Sequence, residues 1–136
     1  MGAYDEWKRL TPAEKAVLAA MGPANALLVK ASKTTAFNET EKRFGFNGHN
    51  DRSDAFRHCF WSAILARNIG VWWAKAFTDA HETSPGQPAD EKVMDLHNNG
   101  VGLKIGMFYF IPDSNETLSE KCYKALLSGE LKVLKL

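Results

Sequence analysis

Signals that begin and end helices recur along nearly the whole chain, and they constrain its fold more than any other feature. Residues 11–14, TPAE, form a capping box with proline at the first helical position, and Pro23 opens a second helix. Ser114 caps a last helix that ends near Gly129, and residues 130–136 alternate enough for a short strand or an extended arm. We therefore predict an all-α fold, a compact single-domain bundle of about six helices with a central polar groove.

Two of these helices carry specific structural expectations. In the second, the apolar spacing predicts a packed face made of Ala24, Leu27, Leu28, Ala31 and Thr35. In the fifth, Asp90 is the expected cap, and Asn99-Gly100 is expected either to kink the helix or to end it.

The bulk properties indicate one ordinary globular domain over residues 1–136. The chain has 136 residues and a formal net charge of +1, which gives no electrostatic support for binding nucleic acid. The charged start has no apolar h-region, and no run reaches transmembrane length, so we expect synthesis in the cytoplasm without a signal peptide and no stable membrane insertion. Cys59 and Cys122 lie in apolar helical contexts and are expected to be buried free thiols.

All four histidines fall in one central stretch, each beside acidic or amide residues, in the strings NGHNDRSDAFRH, TDAHE and MDLHNNG. Histidine titrates near neutral pH and is a common metal ligand. Three such clusters on successive elements predict one site assembled from three pieces, and therefore an enzyme. Of the four, His58 and His81 have carboxylate partners on helices, whereas His97 is interpreted as support and His49 as a loop residue.

The first cluster lies on the third helix. Asp54 and His58 are one turn apart, so the carboxylate can hold the imidazole in one tautomer. Arg57 has the fork geometry that clamps a phosphate or carboxylate, and Trp61 on the same stripe indicates a partly enclosed groove. The alternative is a capping Asp with a surface His and Arg.

The other two clusters supply an acid and polar ligands. His81 and Glu82 end the fourth helix, and a Glu beside tryptophans is a plausible general acid. Asp95, Asn98 and Asn99 share a face of the fifth helix, and their side chains are suited to orienting a substrate. The alternatives are a solvated helix end for the former and an Asn-Gly cap for the latter.

Histidine and carboxylate ligands without cysteine suit a divalent metal, namely zinc, calcium or manganese. The candidate ligands are Asp51, Asp54, His81 and Asp95, although their spacing matches no established motif.

These residues favour a hydrolase, with or without a metal. In the predicted mechanism, His58 oriented by Asp54 activates water, Arg57 binds an anionic group, and Glu82 or His81 protonates the leaving group. A lysozyme-like glycoside hydrolase with Glu82 as the acid and Asp95 as its partner is the enzymatic alternative; it requires the two carboxyl groups about 5–10 Å apart across a long groove. A non-catalytic binding or immunity-type module is the alternative from another class.

The strings NGHNDRSDAFRHCFWSA, AKAFTDAHE and MDLHNNGVGLKIG resemble a bacterial domain family without an established activity, which carries NGxNDxxDAFRHxxW, AHE and MDLxNN blocks in this order. The family is similar to toxin-type modules of type VI secretion and Rhs-like proteins. The resemblance covers roughly residues 7–106. It points to these functional positions: Asn50, Asp51, Asp54, Arg57, His58, His81, Glu82, Asp95, Asn98 and Asn99.

The resemblance implies an antibacterial effector delivered to the target cell envelope by a specialised secretion system. Its substrate would then be a lipid-linked phosphate, a phospholipid or peptidoglycan, and its partner a cognate immunity protein.

Overall fold

The computed structural model describes residues 9–135 and confirms a compact all-α domain. Within that range the chain forms six helices, in the order α1 (Pro12–Met21), α2 (Pro23–Phe44), α3 (Arg52–Ile69), α4 (Val71–His81), α5 (Ala89–Gly106) and α6 (Asn115–Leu127). The predicted capping box of α1 is present in full, since Thr11 accepts from the Glu14 N–H and Glu14 accepts from the Thr11 N–H. None of the described helices is both long enough and apolar enough to span a bilayer.

Helix α3 is the central element, and α2, α4, α5 and α6 pack around it. Its N-cap is Asp51, whose Oδ1 accepts the Asp54 N–H at 3.0 Å. The helix is buried on almost every side, from Ser53 to Ile69, because the four helices packed around it cover both its apolar residues and part of its polar stripe. Polar side chains on α3 are therefore enclosed by the surrounding helices.

Helices α3 and α5 approach each other closely because α5 has glycine where the two backbones meet. A Cβ atom on Gly102 would lie 2.1 Å from the Cys59 carbonyl oxygen, and one on Gly106 would lie 2.0 Å from that of Ala63. No other residue fits at these positions without a shift of the backbone. This contact brings the polar face of α5 against the polar stripe of α3.

The predicted packing face of α2 is wrong. Leu27 is 69% exposed and Leu28 is 38% exposed, whereas the buried positions are Val29, Ser32, Ala36 and Thr40. The face that meets the bundle is made of small residues, which let α2 lie close to α3. The Ser32 and Thr40 hydroxyls are satisfied within the helix by the carbonyls of Val29 and Ala36.

Helix α5 begins and ends at different residues from those predicted. Its N-cap is Pro88, which provides no side-chain cap. Asp90 lies in the first turn, where the positive end of the helix dipole stabilises a carboxylate. The helix does not end at Asn99-Gly100 but continues to Gly106. Packing against α3 overrides the weak helix propensity of these two residues.

The ends of the bundle agree with the remaining expectations in most respects. Ser114 caps α6, and Cys59 and Cys122 are buried free thiols, as predicted. Residues 130–135 form no strand but an irregular arm. After α5 the chain exposes an apolar loop in which Phe110 is 94% accessible.

Candidate functional site

Four helices contribute to one cluster of titratable side chains. These side chains are Glu14 from α1, Asp54 and His58 from α3, His81 and Glu82 from the end of α4, and Asp95 from α5. His58, His81 and Glu82 offer donor atoms within 4.8 Å of one another, and so do Asp54, His58 and Asp95. The prediction that separate sequence clusters assemble into one site is therefore consistent with the structure, and His58 lies at its centre.

His58 contacts carboxylates at both ring nitrogens. Its Nδ1 lies 3.0 Å from Asp54 Oδ1 and 3.0 Å from the Asp54 carbonyl oxygen, as the one-turn spacing predicts. Its Nε2 lies 3.6 Å from Asp95 Oδ1 and 3.9 Å from Glu82 Oε2. Asp54 thus fixes the ring, and Nε2 points to the other two acids.

His81 is oriented in the same way by a residue distant in sequence. Its Nδ1 lies 2.9 Å from Oε2 of Glu14, a side chain that is only 4% exposed. The ring also packs edge-on against Trp61, at 5.2 Å between centroids. Helix α1, for which the sequence predicts only a structural role, therefore positions a site histidine.

Glu82 and Asp95 lie side by side, joined by one glutamine. Gln87 Nε2 donates to Glu82 Oε1 at 3.0 Å and to Asp95 Oδ2 at 3.1 Å. The other Glu82 oxygen accepts from Asn99 Nδ2 at 3.2 Å, while Asn99 Oδ1 accepts from Ser62. Asn99 thus positions Glu82 in the described structure.

The carboxylates hold positive charge on His58. Burial alone would lower the pKa of His58, but the hydrogen bond to Asp54 and the charges of Asp95, Asp54 and Glu82 raise it to about 9. Burial would likewise raise the pKa of Asp54, yet the bond from His58 and the charges of His58 and Arg57 hold it below its usual value. An imidazole that is already protonated cannot take a proton from water, so electrostatics do not favour His58 as the general base.

Asp95 has the properties of a base or acid near neutral pH. Burial raises its pKa to about 6; the charge of His58 opposes this rise, and the charges of Glu82 and Asp54 add to it. Its Oδ1 is buried and has no hydrogen-bond partner among residues 9–135. A buried carboxylate oxygen in that state indicates a group that the polypeptide itself does not supply.

Arg57 is already engaged by the protein. Its guanidinium donates to Asp54 Oδ1 at 2.6 Å, to the Gly48 carbonyl at 3.1 Å and to Asn47 at 3.2 Å, and it stacks over Phe37 at 4.8 Å. These bonds tie the loop before α3 to the site. Arg57, which the sequence predicts to bind an anionic group, is thus held in one orientation by these contacts.

A large groove opens onto the two histidines. Its volume is about 1020 Å³, and its lining is mainly apolar, with Arg57, His58, Trp61 and His81 along one wall. Helices α1 and α2 form the other walls, and Leu27 and Phe37 are exposed there because they face this space. Glu82 and Asp95 are not part of the lining, but Glu82 Oε2 and Asp95 Oδ1 lie 3.9 Å and 3.6 Å from Nε2 of His58, which does line the groove.

Asn98 and His97 contact the C-terminal arm, and His49 lies on the loop before α3. Asn98 is used entirely by the C-terminal arm, since its amide bonds both the N–H and the carbonyl of Lys132. His97 Nε2 lies 2.7 Å from the Glu130 carbonyl, and the exposed His49 pairs with Glu91 at 2.6 Å. The structure thus places Asn98 against the arm and not in the cluster around His58, and its substrate-binding role stays a prediction.

The structure brings the predicted metal ligands together only in part. Asp51 serves as the α3 cap, where its Oδ1 accepts from Ser53 and from the Asp54 N–H, and it belongs to neither of the two groups around His58. Asp54, His81 and Asp95 do lie in these groups, but in each group they are joined by His58.

Sequence reasoning missed Glu14 and Gln87. The capping box is a sufficient reason for a glutamate at position 14, because Glu14 Oε1 accepts the Thr11 N–H. The other oxygen of Glu14, Oε2, contacts His81. Gln87 follows a turn of Ser, Pro and Gly, and nothing in that composition distinguishes a site residue from a loop residue. Both contacts depend on how the helices pack.

Comparison with known proteins gives a family but no activity. No solved structure matches the chain. The profile of DUF6973, described as a domain of unknown function, matches residues 16–130. That range includes His58, His81, Glu82 and Asp95, with Glu14 just before it. Because the match covers most of the chain, the protein belongs to the DUF6973 family.

Proposed function

We propose that the chain is a hydrolase that cleaves an ester bond in an anionic amphiphile, such as a phospholipid or a lipid-linked phosphate. The observation that carries this proposal is the mainly apolar groove of about 1020 Å³ that ends at His58 and His81. A groove of this size is large enough for a lipid-sized ligand.

The lining of the groove supports the lipid class over peptidoglycan. Its apolar residues include Leu18, Val29 and Phe77, which suit acyl chains, whereas sugar hydroxyls buried there would lose hydrogen bonds. Its basic residues are Arg9, Lys30, Lys33 and Arg57, against one acid, Glu14, which is bonded to His81. This charge balance favours an anionic head group.

The chemistry proposed at the cluster is acid–base hydrolysis. Asp95, whose Oδ1 lies 3.6 Å from Nε2 of the groove-lining His58, takes a proton from a water molecule beside this histidine as the water oxygen attacks the ester centre. The ester bond then breaks, and Asp95 returns the proton to the leaving oxygen, so that the proton count balances. Positive charge beside Asp95 stabilises the developing oxyanion, and His58, fixed by Asp54, is placed to supply it.

The lysozyme-like alternative loses support from the arrangement of the acids. Glu82 and Asp95 accept from the same Gln87 nitrogen and so lie side by side, and neither of them lines the groove. A glycoside hydrolase requires its two carboxyl groups on opposite sides of the scissile bond. The binding or immunity-type module remains the alternative from another class.

Hydrolysis is tested with the purified chain and vesicles of phosphatidylethanolamine and phosphatidylglycerol, with products identified by mass spectrometry. A lipid-linked phosphate and intact peptidoglycan form parallel arms. We expect product from a lipid arm and a loss of about 10²–10⁴-fold in rate for Asp95→Asn. Asp113→Asn is the matched control, since Asp113 forms an exposed ion pair with Lys121.

Three outcomes would contradict this proposal. Release of sugar fragments from peptidoglycan alone would favour the glycosidase. Vesicle binding without product would favour the binding module. Equal rates of hydrolysis for Asp95→Asn and the wild type would remove Asp95 from the mechanism. This comparison requires that Asp95→Asn and the control Asp113→Asn unfold at the same temperature as the wild type.

An antibacterial role is part of the same proposal. It is supported by the resemblance to toxin-type modules, which also implies a cognate immunity protein. Expression directed to the bacterial periplasm should arrest growth, while cytoplasmic expression and periplasmic Asp95→Asn should not. If the wild type is harmless in both compartments, the effector role is wrong, although the hydrolase can still hold in vitro.

A further inference from the structure

We propose that His58, His81 and Glu82 bind one zinc ion, with a water molecule between the ion and Asp95. The role of this ion in catalysis rests on the hydrolase proposed above. The binding of the ion itself rests only on the geometry of these side chains.

The first argument is the orientation of the two imidazoles. Asp54 Oδ1 lies 3.0 Å from Nδ1 of His58, and Glu14 Oε2 lies 2.9 Å from Nδ1 of His81. Both of these carboxylates are buried. A carboxylate behind a histidine fixes the tautomer that leaves Nε2 free, which is the arrangement that metal-binding histidines commonly have. Two such pairs converge on one space.

The second argument is distance. The donor atoms of His58, His81 and Glu82 lie within 4.8 Å of one another, and His58 Nε2 is 3.9 Å from Glu82 Oε2. Two ligands of a tetrahedral zinc ion, each about 2.1 Å from it, are separated by about 3.4 Å. Small side-chain movements are therefore sufficient to close the site.

The third argument is the unsatisfied oxygen of Asp95. Its Oδ1 lies 3.6 Å from His58 Nε2, and the side chain is only 9% exposed, yet this atom has no hydrogen-bond partner in residues 9–135. A water bound to the ion would donate to it. That arrangement leaves three protein ligands and one open position, as in catalytic zinc sites.

The ligand chemistry selects among the metals. Two imidazoles and one carboxylate suit zinc, whereas calcium requires six to eight oxygen ligands. The structure thus favours zinc over calcium. Of the ligands expected from the sequence only His81 is kept: His58 and Glu82 join it, while Asp54 orients His58 and Asp95 accepts from the water.

The test measures ion binding without any substrate. The full chain is freed of metal with a chelator, and zinc chloride alone is added in a calorimeter. Cobalt is then substituted, and its visible spectrum reports the coordination geometry. We expect one ion per chain and a tetrahedral cobalt spectrum. His58→Gln, His81→Gln and Glu82→Gln should each weaken binding by at least about 100-fold, and Asp54→Asn by about 10–100-fold.

Matched controls use the same residue types outside the cluster. His97→Gln and Glu120→Gln should bind zinc as the wild type does, because His97 bonds the Glu130 carbonyl and Glu120 forms an exposed ion pair with Arg43. If His58→Gln fails to fold by circular dichroism, His81→Gln decides, since that side chain is 38% exposed and lies near the surface.

The zinc site is wrong if the wild type takes up no zinc, if His81→Gln binds as tightly as His97→Gln, or if calcium binds equally well. The test of the hydrolase proposal has a separate outcome from the test of zinc binding. A chain that binds zinc but cleaves no lipid would overturn the proposed reaction alone, whereas full lipid hydrolysis in the chelated chain would overturn only the role of the ion in catalysis.

Discussion

His58 is the residue on which the whole cluster depends. It contacts Asp54 on one side and faces Asp95 and Glu82 on the other, and these carboxylates raise its pKa to about 9. In the metal-free chain, the proton on His58 supplies the positive charge that the carboxylates require. A bound ion would take over this role and release the proton.

The first prediction concerns the pH dependence of stability in the chelated chain. The pKa of His58 is raised from 6.5 to about 9 on folding, so its charge contributes stability that is fully present below pH 6.5 and is lost as the pH rises through 9. The difference in unfolding free energy between the wild type and His58→Gln should therefore narrow by a few kcal/mol between pH 6.5 and pH 9.5. Urea denaturation at several pH values measures this.

His97→Gln is the control for that experiment, since its curve should run parallel to the wild type over the same pH range. Parallel curves for His58→Gln as well would show that the carboxylates do not hold extra charge on His58.

At the same scale, the sequence predicts local pairs but not distant ones. Asp54 and His58 are one helical turn apart, so their contact follows from helix geometry alone. The contact between Glu14 and His81 joins residues 67 positions apart. It follows only from the packing of α1 against α4, which periodicity within either helix does not determine.

Among the helices, the crossing of α3 and α5 determines the geometry of the site. Gly102 and Gly106 allow the backbones to meet, and Asn99 and Asp95 lie one and two turns before Gly102 on the same helix. Asn99 then reaches both Ser62 on α3 and Glu82 after α4. Close packing is therefore what brings Asp95 to His58.

The second prediction compares two glycines of α5. Gly102→Ala places a Cβ 2.1 Å from the Cys59 carbonyl, so we expect a loss of about 3 kcal/mol in unfolding free energy and weaker zinc binding. A Cβ on Gly100 meets nothing within 4 Å, so Gly100→Ala should gain about 0.5–1 kcal/mol from helix propensity. Chemical denaturation of both variants measures the difference. A similar effect from both substitutions would show that the helices can separate without cost.

The error on α2 shows where sequence reasoning about elements fails. Apolar periodicity assigned Leu27 and Leu28 to the core, yet the buried face consists of Val29, Ser32, Ala36 and Thr40. Small residues mark a close helix contact, and an apolar residue can face a groove as well as a core. The sequence pattern does not distinguish these two surroundings.

For the whole molecule, the number of helices and the all-α fold class follow from capping and glycine signals, which act locally. The contacts by which the C-terminal arm closes the bundle do not follow from these signals, because they join residues distant in sequence. The C-terminal arm returns to α5 through Asn98 and Lys132, and the Asn50 carbonyl accepts the N–H groups of Leu134 and Lys135. The arm thereby joins α5 to the loop that precedes α3, and Asn98 belongs to this closure rather than to the site.

The last prediction separates the closure from the site by using adjacent asparagines. Asn98→Ala leaves the Lys132 backbone groups without partners, so we expect a loss of about 2–4 kcal/mol in stability but unchanged zinc affinity below the unfolding transition. Asn99→Ala removes the bond to Glu82 Oε2, so we expect zinc affinity to fall by about 10–100-fold. Calorimetry with zinc and urea denaturation on both variants measure the two effects. Equal losses of zinc affinity in Asn98→Ala and Asn99→Ala would contradict this separation. They would mean that α5 transmits a structural change at the arm to Glu82 and Asp95.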